Sequence, residues 1–583
     1  MPKKAISYSA PFGHGSVKDD SEKRSPAARS AMPAKPSDAL AARILDFWTR
    51  DYLAHFWVKP ALAALLLAYL ACLLLLGPVP STVYGNDVFL LLDGGWRILN
   101  GQVPNRDFYL SLGPVVYMWT AAGLWLAHNS AYGLTIGFLL FAALIAIFAF
   151  RLSRTRMTAA GSILFSVFIL LLCTTPMPLG ANSSLDLSYA MIYNRFGYGL
   201  LSILFVTQIV PPGSRQEHSK EDWFSGIAAG AIVALLFFLK LSYFAVGAGL
   251  VLLGALADRG NTRRLLALAC GLAPVTLAML AFLRFDVPAL VHDLRDTVHA
   301  RSATISNFGI SDLFGLNTTS LIAVALAFCF LGVSGSGARH RMVLFAATVY
   351  AILSEALLVH TNGSQGATFP LYIVVILILL SELGKTLRTR QSESAAFAAT
   401  LIVIGLSLTA PTFFGDLRSL ALLTSYKTSA PLTAGAFRVE GDHLRDLAFY
   451  DNQKDEPVRR ENGHFYTGFL NDGIDLLKKY STPSDRVASL GYHNPFSYAL
   501  LRQPPRAGST WLLVDNNISA GHMLSDARMF GDATVVMAPK YMLTTHVATD
   551  QFLFREYKPY LLGNFSLVAE SEWWSLYRRL PGH

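Results

Sequence analysis

The chain has 583 residues, of which 53% are hydrophobic and 15% charged, whereas charged residues make up about a quarter of an ordinary soluble protein. That excess of apolar surface excludes a soluble globular chain and points to lipid as the solvent. The formal charge of +9 does not indicate nucleic acid, because Lys and Arg fall in short clusters between apolar runs, where they report membrane orientation. Cys72, Cys173, Cys270 and Cys329 all lie inside apolar runs, which leaves no disulfide framework and no cysteine-based metal site.

Residues 1–45 are rich in Ser, Pro, Ala, Lys and Arg and lack apolar periodicity, so they read as a disordered tail that is not a cleaved signal peptide. A helix crosses the hydrocarbon core with about 20 apolar residues. By that measure spans are expected at 57–78, 131–150, 158–178, 190–210, 224–240, 241–257, 265–283, 313–333, 343–360, 369–384 and 395–413, about eleven in all. The stretch 224–257 is twice one span and requires a tight turn at Lys240, Leu241 and Ser242.

The basic clusters test this count. Arg151, Arg154 and Arg156, Arg215 with Lys220, Arg259 with Arg263 and Arg264, Arg339 with Arg341, and Lys385 with Arg388 and Arg390 all fall on the side of the basic N-terminal tail, provided Pro114–Ala127 does not cross. At about 14 residues that stretch is short for a span and suits a surface helix. The transmembrane region is then 46–413, and 79–130 is a long first external loop with two interfacial helices, one carrying Asp87 to Asn100 and one following Pro114.

Beyond Phe414 polar residues become frequent and apolar runs shorten, so 414–583 reads as a small external α/β domain. Ile474, Leu476, Leu477 and Tyr480 define one helix face, 486–490 and 534–537 read as buried strands, and 565–579 as a terminal hairpin. Asp485, His493, Asp515 and His522 have no spacing specific to a metal or a triad and read as solvated surface.

Chemistry concentrates in YGNDVFLLLDGGWRILNGQVPNRDFYLSLGP, residues 84–114, which sets acids where the membrane meets water. Asp87 and Asp93 open an interfacial helix, Gly101 and Pro104 end it, and Arg106, Asp107 and Phe108 follow. Asp87 reads either as a reactive carboxylate or as a helix cap favoured by the dipole. In FFLKLSYFAVG, residues 237–247, Lys240 sits between two hydrophobic helices, where an ionised group is costly and reads either as functional or as snorkelling to the interface.

With Asp87, Arg97, Gly101, Gln102, Pro104, Arg106, Asp107 and Phe108 at their positions, the loop resembles the bacterial GT-C superfamily of membrane glycosyltransferases, in the branch similar to dolichyl-phosphate-mannose protein mannosyltransferases and lipid A sugar transferases. The turn at Lys240 resembles that family's Leu-Thr-Lys-Gly turn. The sequence departs from the pattern at Asn105, where an aromatic is frequent, and at Ser111, Leu112 and Gly113.

The resemblance implies a transferase that moves a sugar from a polyprenyl-phosphate-linked donor to a lipid, polysaccharide or protein acceptor on the periplasmic face of the bacterial inner membrane, with inversion. It implies Asp87 as the base and Lys240 as the cation on the donor phosphate, with Arg106 as a further phosphate ligand; Arg195, polar where lipid penalises it, reads as a second phosphate or sugar ligand or else as an interfacial anchor or a partner of Asp186. Asp93 and Asp107 support the loop, Asp93 facing water and Asp107 holding Arg106. Some relatives use a divalent metal, and no ligand set in this sequence is specific to one. Asn194, His292, Arg295, His299, His360, Asn362 and Gln365 are further external polar residues, and 292–301 reads as a solvated helix face. Two other readings stay open: a transporter or flippase for lipid-linked sugars, which would favour internal repeats that are not evident here, and a non-catalytic subunit of an envelope assembly.

Overall fold

The computed structural model describes residues 36–75, 79–176, 186–212, 218–257, 261–301, 337–362, 369–389, 395–429, 434–451, 462–540 and 547–582. The chain is a polytopic α-helical membrane protein with a small C-terminal sheet. Ten of the expected spans have a helix: α2 (Val58–Leu75), α5 (Gly133–Ser153), α6 (Ala159–Thr174), α7 (Ile192–Ile209), α8 (His218–Phe237), α9 (Leu241–Ala257), α10 (Thr262–Phe282), α12 (Ala338–Asn362), α13 (Pro370–Thr389) and α14 (Ala395–Thr428). The expected span at 313–333 lies outside the described residues. Five of these helices, α2, α5, α10, α12 and α14, are long and apolar enough by themselves to cross a membrane. Leu65, Leu67, Leu144, Ile147, Leu252, Leu277 and Leu353 remain exposed on their outer faces, as lipid-facing side chains do.

Two boundaries differ from the sequence reading. The segment 36–45, expected in a disordered tail, begins α1 (Pro36–Thr49), whose Trp48 is fully buried and donates its indole N–H to Leu380 O at 2.8 Å. An apolar face seated on α13 and α14 makes this short segment helical. The last span, expected to end at 413, is longer: α14 runs unbroken past Pro411 to Thr428. Asp416 is buried within the bundle, so this charge does not mark an exit into water.

The first external loop supplies α3 (Gly85–Leu99) and α4 (Val115–Leu126). Gly101, at φ +76°, takes the left-handed conformation that ends α3. The twelve residues of α4 extend about 18 Å, too little for a bilayer core of about 30 Å. Helix α4 lies against α5 with backbones almost touching, since a Cβ on Gly123 would meet Gly133 O at 1.9 Å. Helix α11 (Val287–Ala300), capped by the Asp286 carboxylate on Ala289 N at 3.2 Å, follows the seventh membrane helix of this series.

The remainder is built from α15 (Gly463–Tyr480), α16 (Phe496–Ala499), α17 (Asp526–Phe530), α18 (Val547–Asn564) and strands β3 (Val487–Ser489), β4 (Val535–Pro539), β5 (Phe565–Glu570) and β6 (Trp574–Arg579). The sheet order is β3-β4-β6-β5, with β3 parallel to β4 and the others antiparallel. This unit does not stand apart from the loop. β1 (Val79–Ser81) pairs in parallel with β2 (Leu447–Phe449), and most of α3 is buried between the bundle and the C-terminal sheet. One continuous apolar core runs from Leu377 in α13 through Phe89 in α3 to Leu576 in β6.

Candidate active site

The loop motif divides into residues that build and one residue that faces a site. Asp93, expected to face water, is fully buried and takes Arg97 Nε at 2.7 Å. The Arg97 guanidinium, over the Phe108 ring at 5.1 Å, also donates through Nη1 to Pro505 O at 3.1 Å and Ala507 O at 2.9 Å. Gln102 Nε2 reaches Pro504 O at 2.8 Å. These side chains fasten the C-terminal unit onto α3. Burial pushes the Asp93 carboxyl above its ordinary range, and Arg97 beside it opposes that shift.

Asp107 holds the loop as expected, accepting Val103 N at 2.7 Å and Arg106 Nη2 at 3.0 Å. Burial works against its charge, but Arg106 and the Val103 N–H keep its carboxyl below the usual range. Arg106 itself is 42% exposed and turned to Asp107, so it sits on the outer surface of the loop. Asn105 has a structural duty of its own. Its backbone is left-handed at φ 66°, which Asn tolerates, and its amide donates to Asp293 Oδ2 at 3.0 Å. Asp293 is fully buried and also takes Arg528 Nη1 at 2.6 Å and Leu110 N at 3.0 Å. The stretch 292–301 is solvated on one face, at His292, Arg295, Val298 and His299, and docked on the other, where Asp293 and Ala300 are buried against the loop and the C-terminal unit.

Asp87 is placed differently. It lies in the first turn of α3, and Tyr492, from the loop after β3, donates its hydroxyl to Asp87 Oδ1 at 3.3 Å. The charge of Asp87 is felt by Tyr117 of α4 and by Tyr193 of α7. Lys240, 8% exposed between α8 and α9, sets its ammonium 5.0 Å from the centre of that same Tyr193 ring and donates to Asn194 Oδ1 at 3.2 Å. Arg301, at the end of α11, is close enough to act electrostatically on both Lys240 and Tyr193. Its guanidinium is held by Asn516 O at 3.0 Å and Thr361 O at 2.6 Å. Residues distant in sequence are thus neighbours: Tyr492 and Lys240 contact Asp87 and Tyr193 respectively, and Tyr193 feels the charges of both Asp87 and Arg301.

Local backbone explains how. Gly113 N donates to Leu239 O at 3.1 Å and Val115 N to Phe238 O at 3.2 Å, so the loop ahead of α4 binds the turn that carries Lys240. Only glycine permits that approach, since a Cβ on Gly113 would fall 1.8 Å from Phe238 O. Helices α3 and α7 each start after a non-glycine residue in the left-handed region, Tyr84 at φ 55° and Met191 at φ 53°. Such backbone is costly, and it turns both helix N-termini into the site. The N-termini of α3, α7 and α9 carry positive partial charge that favours an anion.

Arg195 does not join this group. It is buried, donates to Leu172 O at 3.0 Å, and has Asp416 of α14 as its opposing charge. The tetrad named in the C-terminal unit also separates. Asp485 and His493 are buried, with Asp485 accepting Thr482 N at 2.7 Å and His493 Nε2 bonded to Tyr466 Oη at 3.0 Å, while Asp515 is exposed. His522 instead stacks on His299 of α11 at 4.8 Å. His360 ends α12, and Gln365 and the Asn362 side chain lie outside the described residues.

Among the described residues no three His, Cys, Asp or Glu side chains gather as metal ligands. Asp93 is committed to Arg97, which leaves the cluster around Asp87 with cations and phenols, a donor set unsuited to a divalent ion. Sequence reasoning missed Tyr117, Tyr193, Tyr492 and Arg301. A tyrosine beside a membrane surface is common as an interfacial anchor, so nothing local singles these out.

No family model matches the chain, and no curated protein matches it. Among solved structures it is similar to the crystal structure of ArnT from Cupriavidus metallidurans in the apo state, at 12% identity and a TM-score of 0.38, and to the same protein bound to undecaprenyl phosphate, at 12% identity and 0.41. Each likeness covers 90% of this chain and 98% of the other.

Proposed function

We propose that the chain is a membrane glycosyltransferase that moves a sugar from a polyprenyl-phosphate-linked donor to a hydroxyl of a lipid, polysaccharide or protein acceptor. The observation that supports this reading is that Tyr193 has the Lys240 ammonium 5.0 Å from its ring centre and lies near enough to Asp87 to feel that carboxylate's charge. The acceptor hydroxyl attacks the anomeric carbon, the bond from that carbon to the phosphate oxygen breaks, and Asp87 takes the hydroxyl proton. The Tyr492 hydroxyl fixes one Asp87 oxygen during this step. The electron pair leaves with the lipid phosphate, whose added negative charge falls beside Lys240, Arg301 and the helix N-termini, groups already in place. Attack from the Asp87 side against departure toward Lys240 inverts the anomeric centre.

The basic clusters at the far ends of the helices support a reading in which that end faces the cytoplasm and the site and C-terminal unit face the periplasm, with the protein in the bacterial inner membrane. Arg106 and Arg195 are not part of this mechanism. The test is transfer from radiolabelled polyprenyl-phosphate sugars by purified protein. Asp87→Asn is expected to lower turnover by about 100-fold or more, the scale of general-base catalysis, and Lys240→Ala to lower it comparably. Transfer unchanged in both variants refutes the assignment.

A further inference from the structure

Helices α7, α8 and α9, which surround Lys240, meet α10 and α12 at their other ends around a cavity of about 540 Å³. Helix α7 runs from Asn194, beside Lys240, to Thr207 and Gln208 in the cavity wall, about 21 Å away along the helix. Its volume is that of a small-molecule site. Its polar lining is Arg156, Gln208, Asp222, Arg264, Arg339 and His340.

The unmet groups in that lining are all donors. Arg156 is 1% exposed, and its Nε and Nη1 atoms have no hydrogen-bond partner. Gln208 is 7% exposed; its Oε1 accepts from Arg264 Nη2 at 2.9 Å, which leaves Nε2 as a buried donor without a partner. A buried guanidinium without acceptors is expensive, and donors this placed call for an acceptor-rich occupant. The nearby acids Glu221 and Asp222 act on the Arg156 charge through space without accepting from its Nε or Nη1, and their hydrogen bonds go elsewhere. Glu221 takes Arg151 Nη2 at 2.8 Å, Glu382 takes His340 Nε2 at 2.8 Å, and Asp222 accepts Asn261 Nδ2 at 3.4 Å. Arg264 and Arg339 partly serve helix ends, donating to Thr207 O at the end of α7 and to Ala257 O at the end of α9. Arg156 has no such duty on Nε and Nη1. The N-termini of α10 and α12 open at the same place and add positive potential.

We propose that this cavity binds a phosphate group, held by Arg156 and Gln208 with Arg339 at the rim, at the end of the bundle opposite the Asp87–Lys240 site. The shared chemistry is a phosphate, carried either by the headgroup of an anionic lipid or by a soluble molecule. The inference does not depend on the transferase reading, since it uses none of that site's residues.

The test is calorimetric titration of the purified full chain in uncharged detergent with inorganic phosphate, with dihexanoyl phosphatidic acid, and with dihexanoyl glycerol as the phosphate-free control. Arg156→Gln is expected to weaken binding of a phosphate probe about 10-fold or more, the effect of losing a charge-assisted hydrogen bond. Arg339→Gln, at an exposed rim position whose loss leaves the fold intact, is expected to weaken it by a few-fold. Lys240→Ala separates this binding from the other site and should leave it unchanged. Saturable binding of phosphatidic acid alone assigns a lipid headgroup, and binding of both phosphate probes assigns a soluble phosphate. Absence of binding by either, equal affinity for dihexanoyl glycerol, or affinity unaltered in both arginine variants overturns the proposal.

Discussion

Replacing Arg97 by Met tests whether the loop motif is a fastening. Arg97 and Asp93 are 1% and 0% exposed and meet at 2.7 Å, so the substitution strands a carboxylate in the core and unpairs the carbonyls of Pro505 and Ala507. An uncompensated buried charge costs about 3–5 kcal/mol, but protonation limits that cost. At pH 7 protonating an aspartate costs about 4 kcal/mol and at pH 5 about 1.5 kcal/mol, at about 1.4 kcal/mol per unit. The two carbonyls add roughly 1–3 kcal/mol at either pH.

The sign follows from linkage. Without Arg97 the folded-state pKa of Asp93 rises far above its unfolded value, so stability is retained at low pH and lost as pH rises toward that folded value. Urea unfolding in mild detergent, followed by tryptophan fluorescence, should show Arg97→Met less stable than the parent by about 5 kcal/mol at pH 7, with the deficit shrinking by about 2.5 kcal/mol at pH 5. Asp93→Asn combined with Arg97→Met should lose the pH dependence and keep only the carbonyl part. A deficit below about 1 kcal/mol, or one equal at both pH values, would show that the pair is not the buried ion pair described.

Three further outcomes are expected. Gly113→Ala should reduce sugar transfer by at least about 10-fold while leaving the bundle folded, because its methyl displaces the turn carrying Lys240; unchanged kinetics would dissociate that contact from the site. Burial pushes the Asp550 carboxyl from its ordinary value of 3.8 up to about 7 while it accepts Tyr492 N at 2.8 Å. Between those values only the unfolded chain ionises, so Asp550 makes stability fall with rising pH, by about 4 kcal/mol across the window. Asp550→Asn keeps an acceptor for Tyr492 N and should flatten that part of the pH–stability curve, as seen in the same urea assay. Arg301→Gln should raise the donor KM and lower kcat about 10-fold or more if its charge meets the leaving phosphate, and a change in neither would remove it from the site.

What the sequence determined by itself is what short-range physics writes into it. Spans of 17 to 25 apolar residues, with arginines gathered at one set of ends, sufficed to place helices from α2 to α14, because lipid penalises every alternative for such segments. The hairpin at 565–579 and the strands near 487 and 535 were equally legible from alternation and turn residues. Asp87 and Lys240 stood out because a charge at a membrane boundary is rare.

The partners of those charges were decided only by tertiary structure. Asp93 and Asp107 sit in the same motif as Asp87 and look alike in the sequence, yet one is buried on Arg97, one clips a turn and one faces Tyr492. The sequence points to Arg195 for a phosphate and not to Arg301, yet Arg195, one residue beyond Asn194, turns toward Asp416 of α14, while Arg301 is carried in at the end of α11. Which way a polar side chain points depends on packing across hundreds of residues, and hydropathy averages that direction away. The same packing closed the C-terminal unit over α3 and left Arg156 buried at the far end with two donors unmet.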